Sequence, residues 1–123
     1  MTVRDTMSKI AAGTNMSLSY SSGTITLNSK GTVVTNVSGA TPVITAVKDT
    51  MYICGEVTSL SFTPCASGIC DVRFTSGSTV TVLTIPSTVK FPNSFDPTSL
   101  ETNTIYEINI LDGVYGVVTS WAI

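Results

Sequence analysis

The strongest constraint on this chain is its choice of residues that stiffen the backbone. Val, Ile and Thr recur along almost its whole length. Helix-favouring residues are scarce: there is no Gln, and Glu occurs only at positions 56, 101 and 107. β-Branched side chains hold few χ1 rotamers and suit a pleated surface. Gly, Pro, Asn, Asp and Ser punctuate these runs at short intervals, as turns between strands do. The reading is an all-β fold, an antiparallel β-sandwich or a compact β-barrel. A short N-terminal arm or helical turn fits only near the start. There Asp5 or Thr6 is placed to cap, and Val3, Met7 and Ile10 fall at helical spacing. Residues 1–12 therefore read as an arm and 13–123 as a single β-domain.

Strand patterns follow from Met16 onward. Met16 to Tyr20 and Thr24 to Asn28 alternate apolar and hydroxyl residues around a turn at Ser21-Ser22-Gly23, a hairpin signature. Further strands are read over 32–37, 42–47, 51–54, 56–62, 69–75 and 79–85, with Gly55 as a bulge or break. In the last of these, Val80 and Val82 share one face and Leu83 and Ile85 the other, as in a strand buried on both sides or bulged. Pro92, Asn93, Pro97 and Ser99 make 91–100 an irregular loop. Asp112-Gly113 is the best hairpin signal, a two-residue type I′ turn that would set Ile110 opposite Tyr115 and Tyr106 opposite Thr119. That register puts Tyr106 and Trp121 on one apolar face as core anchors, with Phe91 packing over the sheet. It leaves Ile105, Leu111 and Val118 on a mixed face suited to an interface, as Val3, Met7 and Ile10 are in the arm. No fixed-period repeat of the solenoid kind is visible.

Charge narrows the function classes. Only 11% of residues are charged, against roughly 25% in an ordinary domain. Ser and Thr supply 37 of the 123 residues and hydrate the surface without charge. A net charge of -2 argues against nucleic acid as a partner. No apolar run reaches the roughly 18–20 residues of a membrane helix, so no membrane insertion is expected. No apolar h-region opens the chain, so no export signal is read.

The chain contains no histidine, which removes Ser-His-Asp triads, Cys-His pairs and histidine metal ligands. The carboxylate pairs Glu107/Asp112 and Asp96/Glu101 read as turn and rim residues rather than a glycosidase couple. No catalytic residue, metal site or cofactor is expected. Cys54 reads as a small buried hydrophobe. Cys65 and Cys70 flank a tight loop and are either reduced thiols or a disulfide.

The second half carries a recognisable succession. Cys54-Gly55-Glu56-Val57-Thr58-Ser59-Leu60 precedes Arg73-Phe74-Thr75-Ser76-Gly77-Ser78. Leu83-Thr84-Ile85-Pro86-Ser87-Thr88-Val89-Lys90-Phe91-Pro92 follows, then Asn103-Thr104-Ile105-Tyr106-Glu107-Ile108-Asn109-Ile110, Asp112-Gly113, Val117-Val118 and Trp121. This order resembles a small β-domain of tailed-bacteriophage structural proteins, of the head-fibre, tail-fibre or capsid-decoration type. The resemblance spans residues 50–123. It implies a non-enzymatic virion subunit, made in the host bacterial cytoplasm and placed on the virion surface. Such a subunit would assemble as a homotrimer, contact capsid or fibre proteins, and serve in particle assembly or attachment to a host surface glycan or protein. A flat Ser/Thr-rich face with Tyr20, Tyr52, Tyr115 and Trp121 leaves a second reading open, a carbohydrate-binding or receptor-binding adhesin domain.

Overall fold

The computed structural model describes residues 16–21, 23–29 and 32–123. The expected arm, with Val3, Met7, Ile10 and its boundary after residue 12, lies outside the described residues. The chain divides into two compact units, Met1–Thr32 and Val33–Ile123. In the first, β1 (Met16–Ser21) and β2 (Thr24–Ser29) form an antiparallel hairpin with Ser21 opposite Thr24.

The second unit holds β3 (Val33–Val37), β4 (Val43–Thr45), β5 (Thr50–Glu56), β6 (Ser59–Thr63), β7 (Ile69–Ser76), β8 (Val82–Thr84), β9 (Thr104–Leu111) and β10 (Tyr115–Ala122). It is all-β. Two sheets alternate along the chain: a five-stranded sheet in the order β10-β9-β7-β5-β3 and a three-stranded sheet in the order β4-β6-β8. Neither sheet closes on itself, so the barrel alternative does not hold. The antiparallel expectation is also corrected. β3, β5 and β7 pair in parallel, and so do β4, β6 and β8. In this unit only β9 makes antiparallel ladders, with β7 and β10.

The chain therefore winds through successive coils, each laying one strand in each sheet. Parallel pairing normally needs a long crossover, often a helix; here the crossover is a short strand of the opposite sheet. The bends stack as well. The Ala40 carbonyl accepts from Thr58 and Ser59 N–H, and Thr58 carbonyl accepts from Val82 N–H. The coils are unequal: Val33 pairs with Thr50 and Thr50 with Cys70, but Ser59 pairs with Val82. Unequal coils erase the fixed period that marks a solenoid in sequence.

The core lies between the sheets. Leu60 and Phe62 from one side meet Cys70, Val72, Phe74, Ile108 and Ile110 from the other, all at or below 1% exposure. Complete burial of each large side chain contributes about 1.5–3 kcal/mol. Tyr52 meets Phe62 edge-on at 6.1 Å, and Phe74 stacks on Tyr106 at 5.6 Å. Both tyrosine hydroxyls accept a backbone N–H from five residues earlier, Tyr52 from Val47 at 2.9 Å and Tyr106 from Glu101 at 2.8 Å. Each pins an incoming loop to a buried ring. Ser76 and Thr81 are buried but satisfied: Ser76 Oγ accepts Thr81 N–H, and Thr81 Oγ1 donates to Val57 carbonyl.

Two sequence expectations on strand faces change. Leu83 and Ile85 pack against the core while Val80 and Val82 are exposed, so β8 is buried on one face only. In the last hairpin Asp112 (φ 53°) and Gly113 (φ 68°) adopt the left-handed conformation expected of a type I′ turn, and Val114 N–H donates to Leu111 carbonyl. Tyr115, however, lies opposite Leu111, so Val114 is an extra residue. This one-residue slip turns every β10 side chain to the other face.

Candidate functional site: the outer face and free edge of the five-stranded sheet

The slip relocates the expected anchors. Tyr106 faces the core at 5% exposure, and Phe91 is half-buried against it, edge-on to Phe95 at 5.1 Å. Trp121 is not a core anchor. It stands opposite Ile105 on the outer face and is 44% exposed. Val118 moves the other way. Opposite Ile108, it packs against the core rather than forming part of an outer interface. Ile105 and Leu111 stay on the outer face, Ile105 half-buried and Leu111 exposed.

The outer face thus carries Leu111, Asn109, Glu107 and Ile105 from β9 beside Tyr115, Val117, Thr119 and Trp121 from β10. β7 adds Asp71 opposite Asn109 and Arg73 opposite Glu107. Arg73 Nη2 donates to Glu107 Oε1 at 3.0 Å, and its guanidinium lies 5.9 Å from the Trp121 ring centre. Arg73, Ile105 and Trp121 line a shallow hollow of about 230 Å³. Asp71 is half-buried in this face. Burial raises its pKa above the usual carboxylate range, and the Glu107 carboxylate adds to the rise. Asp71 Oδ1 and Arg73 Nε are buried without a hydrogen-bond partner.

The edge of this face is β10. Near its start, Lys90 bridges to Tyr115: Lys90 N–H donates to Val114 carbonyl, and Gly116 N–H donates to Lys90 carbonyl. Gly116 thus directs its backbone away from β9. Antiparallel ladders alternate, so Val118, Ser120 and Ala122 also direct their N–H and C=O outward. Residues 119–123 are all exposed.

A larger cleft of about 530 Å³ lies in the 85–98 loop, lined by Pro86, Phe91, Phe95 and Pro97 among others. It does not join the charged residues of the outer face. Asp112 and Asp96 hold turns. Asp112 Oδ1 accepts Gly68 N–H at 2.9 Å, and Asp96 Oδ1 accepts Thr98 N–H and hydroxyl. Cys54, Cys65 and Cys70 are buried, unbridged thiols. Cys65 N–H donates to Cys70 Sγ at 3.3 Å, and burial pushes the Cys70 thiol up to about 12. Among the described residues no three His, Cys, Asp or Glu side chains gather as a metal site, and no helix is long and apolar enough to cross a membrane.

Of the four rings available for sugar stacking, Tyr52 is buried, Tyr115 and Trp121 are exposed, and the Tyr20 side chain lies outside the described residues. The exposed edge and the Arg73–Trp121 contact were not expected from the sequence. The only signal in the sequence is that β10 carries no charge and no proline. Comparison with protein-family models, with curated proteins and with solved structures finds nothing that matches this chain.

Proposed function

We propose that the protein is a non-enzymatic structural subunit of a tailed-bacteriophage virion, of the head-fibre or capsid-decoration kind. It works by associating with copies of itself and with other virion proteins at the particle surface. The observation that carries this reading is the outer sheet face, where Leu111, Tyr115, Val117 and Trp121 stand exposed together. Apolar side chains clustered on one face mark an interaction surface. The sequence resemblance over residues 50–123 supplies the virion setting. Size-exclusion chromatography with light scattering tests the reading. An assembly of several 12.9 kDa subunits is expected, and a strict monomer at high concentration would overturn it.

A second reading is a carbohydrate- or receptor-binding adhesin module. Its support is that Tyr115 and Trp121, both exposed, lie on one face of β10, about 20 Å apart at the usual strand rise. Stacking of a sugar on either ring would quench or shift tryptophan emission. A glycan array with no binder removes this reading.

A further inference from the structure

The outer edge of β10 is eight residues long, and among the described residues nothing covers it beyond its start. Proteins ordinarily blunt such an edge with charge, proline, brevity or a covering element. The three-stranded sheet does so: its edges β4 and β8 are three residues each, with Pro42 directly before β4 and Pro86 two residues after β8. β3 is five residues, and its exposed Val33 and Val34 are consecutive and so point to opposite faces. β10 is eight residues with no charge and no proline. Among the described residues only its start is covered, by Lys90.

We propose that β10 pairs antiparallel with β10 of a second copy of this chain, about a twofold axis beside Ser120; this rests on the self-assembly reading above. The register follows from the backbone. Val118, Ser120 and Ala122 present the outward N–H and C=O groups, and they are centred on Ser120. Antiparallel pairing about that centre matches Ser120 with Ser120 and Val118 with Ala122 of the partner copy. Every outward group in the stretch then gains a partner.

The side chains agree with this register. On the outer face it sets Val117, 60% exposed, against Ile123 of the second copy, 74% exposed, and Trp121 against Thr119. The strand opposes itself without a like-charge contact. The nearest charges behind the edge, Arg73 and Glu107, already neutralise each other at 3.0 Å. The two five-stranded sheets become one continuous sheet, the isologous arrangement that closed dimers use.

Three variants test the contact. Ser120→Cys places a thiol on the axis, where directly opposed strand residues lie about 5.5 Å apart, within disulfide reach. Mild oxidation should convert it to a covalent dimer on a non-reducing gel, while Thr119→Cys, which faces Trp121 instead, stays uncrosslinked. Ser120→Pro removes an outward N–H that the single subunit does not use. It should abolish the dimer with an unchanged near-ultraviolet circular dichroism spectrum; if it fails to fold, the cysteine pair decides alone. An odd-numbered assembly in which Ser120→Cys does not crosslink overturns the twofold contact and leaves the self-assembly reading standing. A wild-type monomer at high concentration overturns both.

Discussion

Gly116 is the most direct probe of the hairpin register. In the register expected from an unbulged Asp112-Gly113 turn, Gly116 would face outward, where a methyl group meets nothing. In the structure it lies opposite Ile110 on the core side. A Cβ there would sit 2.6 Å from Phe91 Cε1 and 2.7 Å from Cδ1. Carbon atoms pack at about 3.5–4.0 Å, so the Phe91 ring must retreat by about 1 Å. Overpacking of this kind costs about 1–3 kcal/mol, and it disturbs the edge-on Phe91–Phe95 contact at 5.1 Å. Against this, replacing a strand glycine with alanine recovers about 0.5–1 kcal/mol of backbone entropy. The expected net loss for Gly116→Ala is about 1 kcal/mol, within a span of about 0–2.5 kcal/mol, combining the two. Urea unfolding followed by circular dichroism should show a lower midpoint at unchanged slope. In a unit of this size each kcal/mol lowers the melting temperature by about 4–8 °C. A Phe91→Leu background should remove at least 0.5 kcal/mol of the penalty, a coupling in the range seen for touching residues. If Gly116→Ala instead stabilises the protein, as it would on an open outer face, the observed register is refuted.

Tyr106→Phe removes the hydroxyl that accepts Glu101 N–H and leaves that part-buried donor unpaired. A loss of about 1–2 kcal/mol is expected by urea unfolding, and Tyr52→Phe, which frees Val47 N–H, should behave alike. The raised pKa of Asp71 means the folded state holds its proton more tightly than the unfolded chain, so stability falls as pH rises through that range. Asp71→Asn should therefore gain on wild type at pH 7 and lose that advantage as the pH falls below the usual carboxylate range. Melting curves at several pH values check this, and a pH-independent difference would contradict it. With Cys54, Cys65 and Cys70 all buried, a thiol reagent should find none in the native protein and three after unfolding without reductant. One reactive thiol after unfolding would show that Cys65 and Cys70 are bridged.

Strand content was legible in the sequence because alternation and turn residues report local geometry. β7 and β9 read cleanly, since Cys70, Val72 and Phe74, and Tyr106, Ile108 and Ile110, occupy every second position. Pairing direction was not legible. A strand with one buried face alternates identically whether its neighbour runs with it or against it. Deciding between them needs long-range information, such as Thr50 lying between Val33 and Cys70. The site suffered from a different cause. One extra residue, Val114, exchanged the faces of β10, and with them the roles assigned to Trp121 and Val118. The turn type was right and the register still slipped, because Asp112-Gly113 fixes the reversal but not the residue that resumes the ladder.

That slip also determines what the final strand offers to a partner. With the unbulged register, Trp121 would join Tyr106 in the core, and the outer face would carry Ser120 and Gly116 in its place. With Val114 extruded, Tyr115, Val117 and Trp121 are turned outward instead, beside Leu111 and Ile105. The strand then combines an apolar outer face with an open backbone edge. A small all-β unit tolerates either feature alone: scattered apolar side chains are ordinary, and a polar edge strand stays solvated. The two together on eight uncharged residues make a surface that water serves poorly and a second strand serves well. The absence of charge from β10 fits the proposed pairing, since a lysine placed along Val117–Ala122 to keep the edge single would also prevent it.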